Sequence, residues 1–325
     1  MHPILRASGY ALAAAIVLLV LPFLGVPPVV LDIISHVAIL GLFATSLNVL
    51  IGQTGMVAFG HAMFYASGAY AFGLLMQTGN WSIPTALVAA VAISAAIAVV
   101  VGVVCIRAKE IYFAFLTLAI QMLFYSAILS AIPLTGGDQG LMGGFAKPPI
   151  LGLDMSDSNV QYGFIVVVAV LVLGALWALT QTPFGSALRM IRDNAARVDF
   201  LGMNVIAYRL AAFVIASSAA SVAGVLMSLF VSGAYPNFGY WTMSGEAIFV
   251  IMLGGLQAFL GPTIGAIILT LLNHFVTEYT EHYGLVLGTV IIAYVLGLRR
   301  GLLDVLVDAW RARRDRAGAA GEVRQ

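Results

Sequence analysis

Charge is the first thing this chain lacks: only 9% of its 325 residues carry one, against about 25% in soluble domains. Lysine occurs at Lys109 and Lys147 alone, and cysteine only at Cys105. A single cysteine excludes an intrachain disulfide, and its place inside an apolar run makes it a buried, inert thiol. Each lysine follows an alanine, so no GxxxxGK[ST] phosphate loop can be written, and the chain cannot hydrolyse ATP in that way. His274 and His282 do not make an HExxH pair, so metal catalysis is unsupported and no cofactor is expected. Ionisable residues are almost missing from the apolar runs, whereas proton- or sodium-coupled carriers need acids there. That disfavours a secondary transporter or facilitator, although carbonyls at a broken helix could still coordinate an ion.

What remains is apolar: 62% of residues are hydrophobic and the mean hydropathy is +1.03. The expected fold is all-α, a polytopic integral membrane protein forming one transmembrane domain over 1–325. About ten spans fit, at 9–26, 33–51, 56–76, 84–106, 111–132, 162–179, 207–231, 244–259, 262–276 and 284–298, the eighth and ninth being short. Arg6 and the apolar run to Leu24 resemble a signal peptide, but VPPVV stands where a small-residue cleavage site is needed, so the first span is read as uncleaved. With a cytoplasmic N-terminus, every lysine and arginine except Lys147 falls in an inside segment, a strong positive-inside bias. Both termini are then cytoplasmic, 133–161 is an extracytoplasmic loop and 301–325 a cytoplasmic tail.

Two runs depart from ordinary spans. In the first, Gly52, Gly55 and Gly60 bracket Gln53, Thr54 and His61; in the second, Gly254, Gly255, Gly261 and Pro262 bracket Gln257. Glycines that loosen a helix around a lone amide suggest a break, tolerated in hydrocarbon only when protein or a wet cavity covers it. The motifs AFGHA and AFLGP recur at these places, one per half, and suggest an internal repeat with a solute path between the copies. The glycines also suit close helix packing, and His61 and Gln257 could be bonded to neighbouring helices instead of lining a path. Glu246 follows Ser244 and Gly245 at an expected helix start, where a carboxylate favours the dipole; otherwise it belongs to the path.

The stretch 182–209 is the longest charged interlude. Phe184, Ala187, Leu188, Ile191, Ala195, Val198 and Leu201 recur at helical spacing, with Arg189, Arg192, Asp193 and Arg197 on the other faces. Thr182 and Pro183 start this amphipathic helix well, Gly202 stops it, and Asp193 can pair with Arg197 one turn on. Its apolar face could lie on lipid or dock on an energised partner.

The run FGSALRMIRDNAARVDFLGMNVIAYRLAAFVIAS resembles the cytoplasmic-loop signature of the LivM-type permease subunits of branched-chain amino acid ABC importers. LNVLIGQTGMVAFGHAMFYASGAYAFGLL and VIMLGGLQAFLGPTIGAIIL are similar to two further blocks of the LivH/LivM superfamily, and the likeness extends from about 33 to 300. The resemblance implies a multi-pass subunit of a bacterial-type inner membrane, not an enzyme itself. Implied partners are a LivH-like second permease, two cytoplasmic ATPase subunits and a periplasmic or lipid-anchored substrate-binding protein, within the lipid bilayer and without nucleic acid. Arg189, Arg192, Asp193, Asn194 and Gly202 fall on the family's ATPase-coupling region, with Arg197 inside it. Gln53, Gly55, Gly60, His61, Gly254, Gly255, Gly261 and Pro262 match the other blocks by position; with Thr54, Glu246 and Gln257 they make up the expected translocation path. Branched-chain amino acids are the default solute; resembling permeases serve urea, short amides or aromatic acids.

Overall fold

The computed structural model describes residues 21–108, 110–142, 144–145, 147–150, 152–279 and the isolated positions 285, 288, 289 and 292. Most of the expected first and last spans, at 9–26 and 284–298, and all of the tail at 301–325 lie outside the described residues. Among the described residues there are ten α-helices and, instead of strands, two isolated β-bridges. The helices are α1 (Pro28–Asn48), α2 (Ala62–Gln77), α3 (Ile83–Cys105), α4 (Glu110–Ser130), α5 (Ile132–Thr135), α6 (Ser158–Gln181), α7 (Pro183–Phe200), α8 (Val205–Val231), α9 (Trp241–Gly254) and α10 (Gly261–Tyr279).

Five segments are long and apolar enough to cross a membrane, and α9 and α10 add shorter apolar helices. Burial sorts the five. The most apolar windows of α1 and α8 are 56% and 67% buried, while those of α3, α4 and α6 are 28% buried. α1 and α8 therefore form the centre, and the other three turn side chains such as Val100, Leu123 and Leu171 outward. In water such faces would be untenable, so the bundle is a multi-pass membrane protein. α8 packs on α1, α2 and α3, and α10 packs on α1 and α9. The α2–α8 crossing is close because Gly68 lies against the Ser221 backbone and Gly224 against the Tyr65 carbonyl, leaving no room for a Cβ.

Boundaries differ from the sequence reading in two informative places. The expected span at 56–76 begins as a helix only at Ala62, because 55–61 is irregular. The expected span at 244–259 becomes α9, which starts earlier, at Trp241, and stops at Gly254. At 1.5 Å per residue α2 and α9 reach about 24 and 21 Å, short of a hydrocarbon core of about 30 Å.

The loop at 133–161 is ordered where it is described. Leu141 pairs with Ala234 across a bridge, Phe145 packs edge-on against Phe72, and Gln161 donates to the Leu229 carbonyl at 2.7 Å. Lys147 donates to Gln161 Oε1 at 3.0 Å, and burial there pulls its ammonium below the usual lysine range. Cys105 is buried and free, as its surroundings in sequence required.

Candidate functional site

The first interruption begins where α1 widens into a π-helical turn, Val49–Thr54. It is closed by Gly55 in the left-handed region, φ 74°, with the Met56 N–H donating back to the Leu50 carbonyl at 3.1 Å. Thr54 is buried and donates to Leu50 O at 2.6 Å. A π turn leaves carbonyls poorly matched to the helix ladder, and such turns gather at functional sites. Here one of those carbonyls has an unusual partner.

α7 supplies it. Thr182 caps the helix by accepting from the Gly185 N–H at 3.4 Å, with Pro183 in the first turn. Arg192 Nη1 donates to the Gly52 carbonyl, and the Arg192 stem covers Gly55. Arg189 Nη1 donates to Gln53 Oε1 at 3.2 Å and to the Thr180 carbonyl at 2.8 Å. Two guanidinium groups thus hold the carbonyl end of the first interruption, where a cation also complements the helix dipole.

α7 is not one continuous helix. Asn194 is extended, φ −161° and ψ 92°, and its Oδ1 accepts from the Arg197 N–H at 2.9 Å, so it caps a second short segment. This break corrects two expectations. Asp193 pairs with its neighbour Arg192, at 3.2 Å, not with Arg197, because the one-turn register between 193 and 197 is lost. Leu201, assigned to the apolar face, is 72% exposed, and Phe200 is 96% exposed. Ala187, Leu188, Ile191 and Val198 are buried as expected, but against the chain's own elements: Phe184 stacks on Tyr208 at 5.6 Å, and Ile191 and Val198 cluster with Val205. Gly202 does stop the helix, at φ 81°.

The second interruption touches the first. Asn48 Nδ2 donates to the Leu256 carbonyl at 3.4 Å, and a Cβ on Gly52 would stand 2.9 Å from the same oxygen. Between α9 and α10 the glycines pack backbone on backbone, Gly254 against the Gly261 carbonyl and Gly261 against that of Gly255. Pro262 is buried, whereas Gln257 is exposed.

His61 is 0% exposed. Its Nε2 meets Ser46 Oγ at 2.9 Å, its ring stacks on Phe43 at 5.6 Å, and Nδ1 has no partner among the described residues. Gly60 is pressed against the Thr117 carbonyl. Just beyond, the Ala62 N–H donates to Ser244 Oγ, Ser244 donates to Gln121 Oε1, both at 2.9 Å, and Gln121 Nε2 donates to the Gly239 carbonyl at 3.2 Å. This buried chain joins the N-terminal ends of α2 and α9 to the middle of α4. Beside it, His36, Tyr65, Met227, Phe238, Met243 and Glu246 line a cavity of about 80 Å³. Because α9 starts at Trp241, Glu246 lies past the first turn, and the dipole explanation for it fails.

The first interruption, the second and α7 thus converge on Gly52, which the sequence had singled out only as a loosening glycine. Ser46, Asn48, Gln121, His36 and Tyr65 were not anticipated; each carries a polar group in an otherwise apolar helix, and that was the available signal.

Interrupted spans joined to an amphipathic surface helix define a multi-pass transport-type membrane protein. The chain belongs to the branched-chain amino acid transport system / permease component family, whose profile matches residues 29–295. It is 26% identical over 297 residues to "High-affinity branched-chain amino acid transport system permease protein LivM" of Salmonella typhimurium, covering 84% of this chain and 70% of that protein. The LivM protein of Escherichia coli K12 gives the same identity and coverage. The "High-affinity branched-chain amino acid transport system permease protein LivH" of Escherichia coli K12 is 25% identical over 279 residues, covering 81% of this chain and 90% of that protein. No solved structure matches.

Proposed function

We propose that this chain is the LivM-like permease subunit of an ATP-driven importer that moves branched-chain amino acids into the cell. It spans a bacterial-type cytoplasmic membrane with both termini and α7 inside. It pairs with a LivH-like permease, receives solute from a binding protein, and leaves ATP hydrolysis to two partner subunits. The observation that carries this reading is the pair of arginines joining α7 to the first interrupted span. Closure of the ATPases moves α7, gripped at Phe200, Leu201 and the exposed arginine face. Arg189 and Arg192 pass that motion to Gln53 and Gly52, and the Leu256 contact passes it to the second interruption. Alternating access follows when both interruptions change conformation together, each ligand state favouring one of two arrangements.

The test is the assembled transporter in proteoliposomes carrying R189A/R192A. Uptake falls by about tenfold or more while ATP hydrolysis and subunit assembly persist. Wild-type uptake in a normally assembled variant would contradict the coupling role.

A further inference from the structure

The cavity between α1, α2, α8 and α9 holds three polar groups that the coupling argument does not use. Glu246 is partly buried and lines the cavity. Tyr65 is 1% exposed, lines the same wall, and lies within electrostatic reach of Glu246. The His36 imidazole, also on the wall, has Nδ1 buried without a partner among the described residues. Polar groups inside a membrane protein are normally satisfied, and an isolated acid there either keeps its proton or meets a cation. The rest of the wall is soft and apolar: Tyr65 and Phe238 meet edge to face, 5.7 Å apart, and Met227 and Met243 are adaptable. At about 80 Å³ the space accepts the charged head of a small solute, several water-sized groups in all, and not a bulky one.

We propose that this cavity is a waypoint for the backbone end of an α-amino acid, with Glu246 receiving the ammonium group and Tyr65 and His36 facing the carboxylate. The inference rests on the importer reading above and sharpens it. Selection here acts on the ammonium common to all α-amino acids, so urea, neutral amides and acids without an amino group are poor cargo for this path. Side-chain preference is left to the wall and to the binding protein.

The experiment uses the complete transporter with its binding protein in proteoliposomes, and radiolabelled leucine. E246Q keeps the shape and removes the charge. Leucine uptake is expected to drop by about tenfold or more, with ATP hydrolysis stimulated by the loaded binding protein within about twofold of wild type. E246D, which keeps the carboxylate, recovers most of the uptake, and it decides the question if E246Q fails to assemble. Leucine uptake by assembled E246Q at the wild-type rate, or its absence in assembled E246D, would overturn the proposal. Replacing sodium and potassium by choline separates the sources of positive charge: unchanged uptake supports the solute's ammonium, and loss assigns Glu246 to an inorganic cation. A wild-type complex that carries no α-amino acid would sink the importer reading as well, an outcome distinct from failure at Glu246 alone.

Discussion

Around Gly52–His61 the chain is held out of regular helix by polar contacts: two arginines on carbonyl and amide oxygens, a histidine on a serine, a threonine on its own turn. Around Gly254–Pro262 glycine backbones press on one another, and Leu256 and Leu260 stand exposed. The two stretches look like copies in sequence, AFGHA and AFLGP, and each leads into a helix start, at Ala62 and Gly261. Their supports nevertheless differ. A polar clamp can be released and remade by moving one partner, whereas a glycine crossing is fixed by shape. In the proposed mechanism the first interruption is therefore the responsive one, and the second follows it through Asn48, Gly52 and Leu256.

This contrast can be broken at several points. The largest effect is expected where backbone packs directly on backbone. G254V drives side-chain carbon into the Gly261 carbonyl, with only backbone to give way, a penalty beyond the ordinary overpacking range of about 1–3 kcal/mol. Size-exclusion of detergent-solubilised protein should show loss of the folded species; a normal profile would mean that the crossing can open. H61A removes a fully buried ring and its contact with Ser46, and should lower stability by about 2–4 kcal/mol, read as a lower midpoint of thermal unfolding. An unchanged midpoint would show that the first interruption does not lean on this pair. N194A removes the cap of the second α7 segment at about 1 kcal/mol, and N194D restores it. Equal midpoints for N194A and N194D would mean the cap does nothing. D193A is the smallest: its ion pair is solvent-exposed, worth less than about 0.5 kcal/mol, and uptake should match wild type because the Arg192 contact with Gly52 survives. A coupling defect in D193A would assign the carboxylate a part that the clamp does not give it.

The interruptions were legible because glycines around a lone amide are rare in lipid-facing helices, and α7 because its arginines break an apolar chain. Their meeting was not legible. A helix pattern shows which face is apolar, but an arginine side chain reaches beyond its own helix, and Gln53 lies 136 residues from Arg189 in the chain. The kink at Asn194 also escaped: asparagine favours caps over helix interiors, but on the polar face of a periodic pattern it raised no break in the helical spacing. It displaced Leu201 and cost Asp193 its expected partner. Glu246 was misread for a related reason: the start of α9 is set by Tyr240 and the turn before it, without a capping side chain to announce it.

The central claim, that α7 and the first interruption move as one body, is tested most directly by distances. Spin labels at V57C and A196C, both exposed, report the pair, and V88C on α3 with A196C provides the reference; Cys105, being buried, is replaced by alanine. With ATP trapped in the assembled transporter, the 57–196 distance should hold while the 88–196 distance shifts. A 57–196 distance that changes as much as the reference would mean the arginines do not carry the motion of α7 into the membrane.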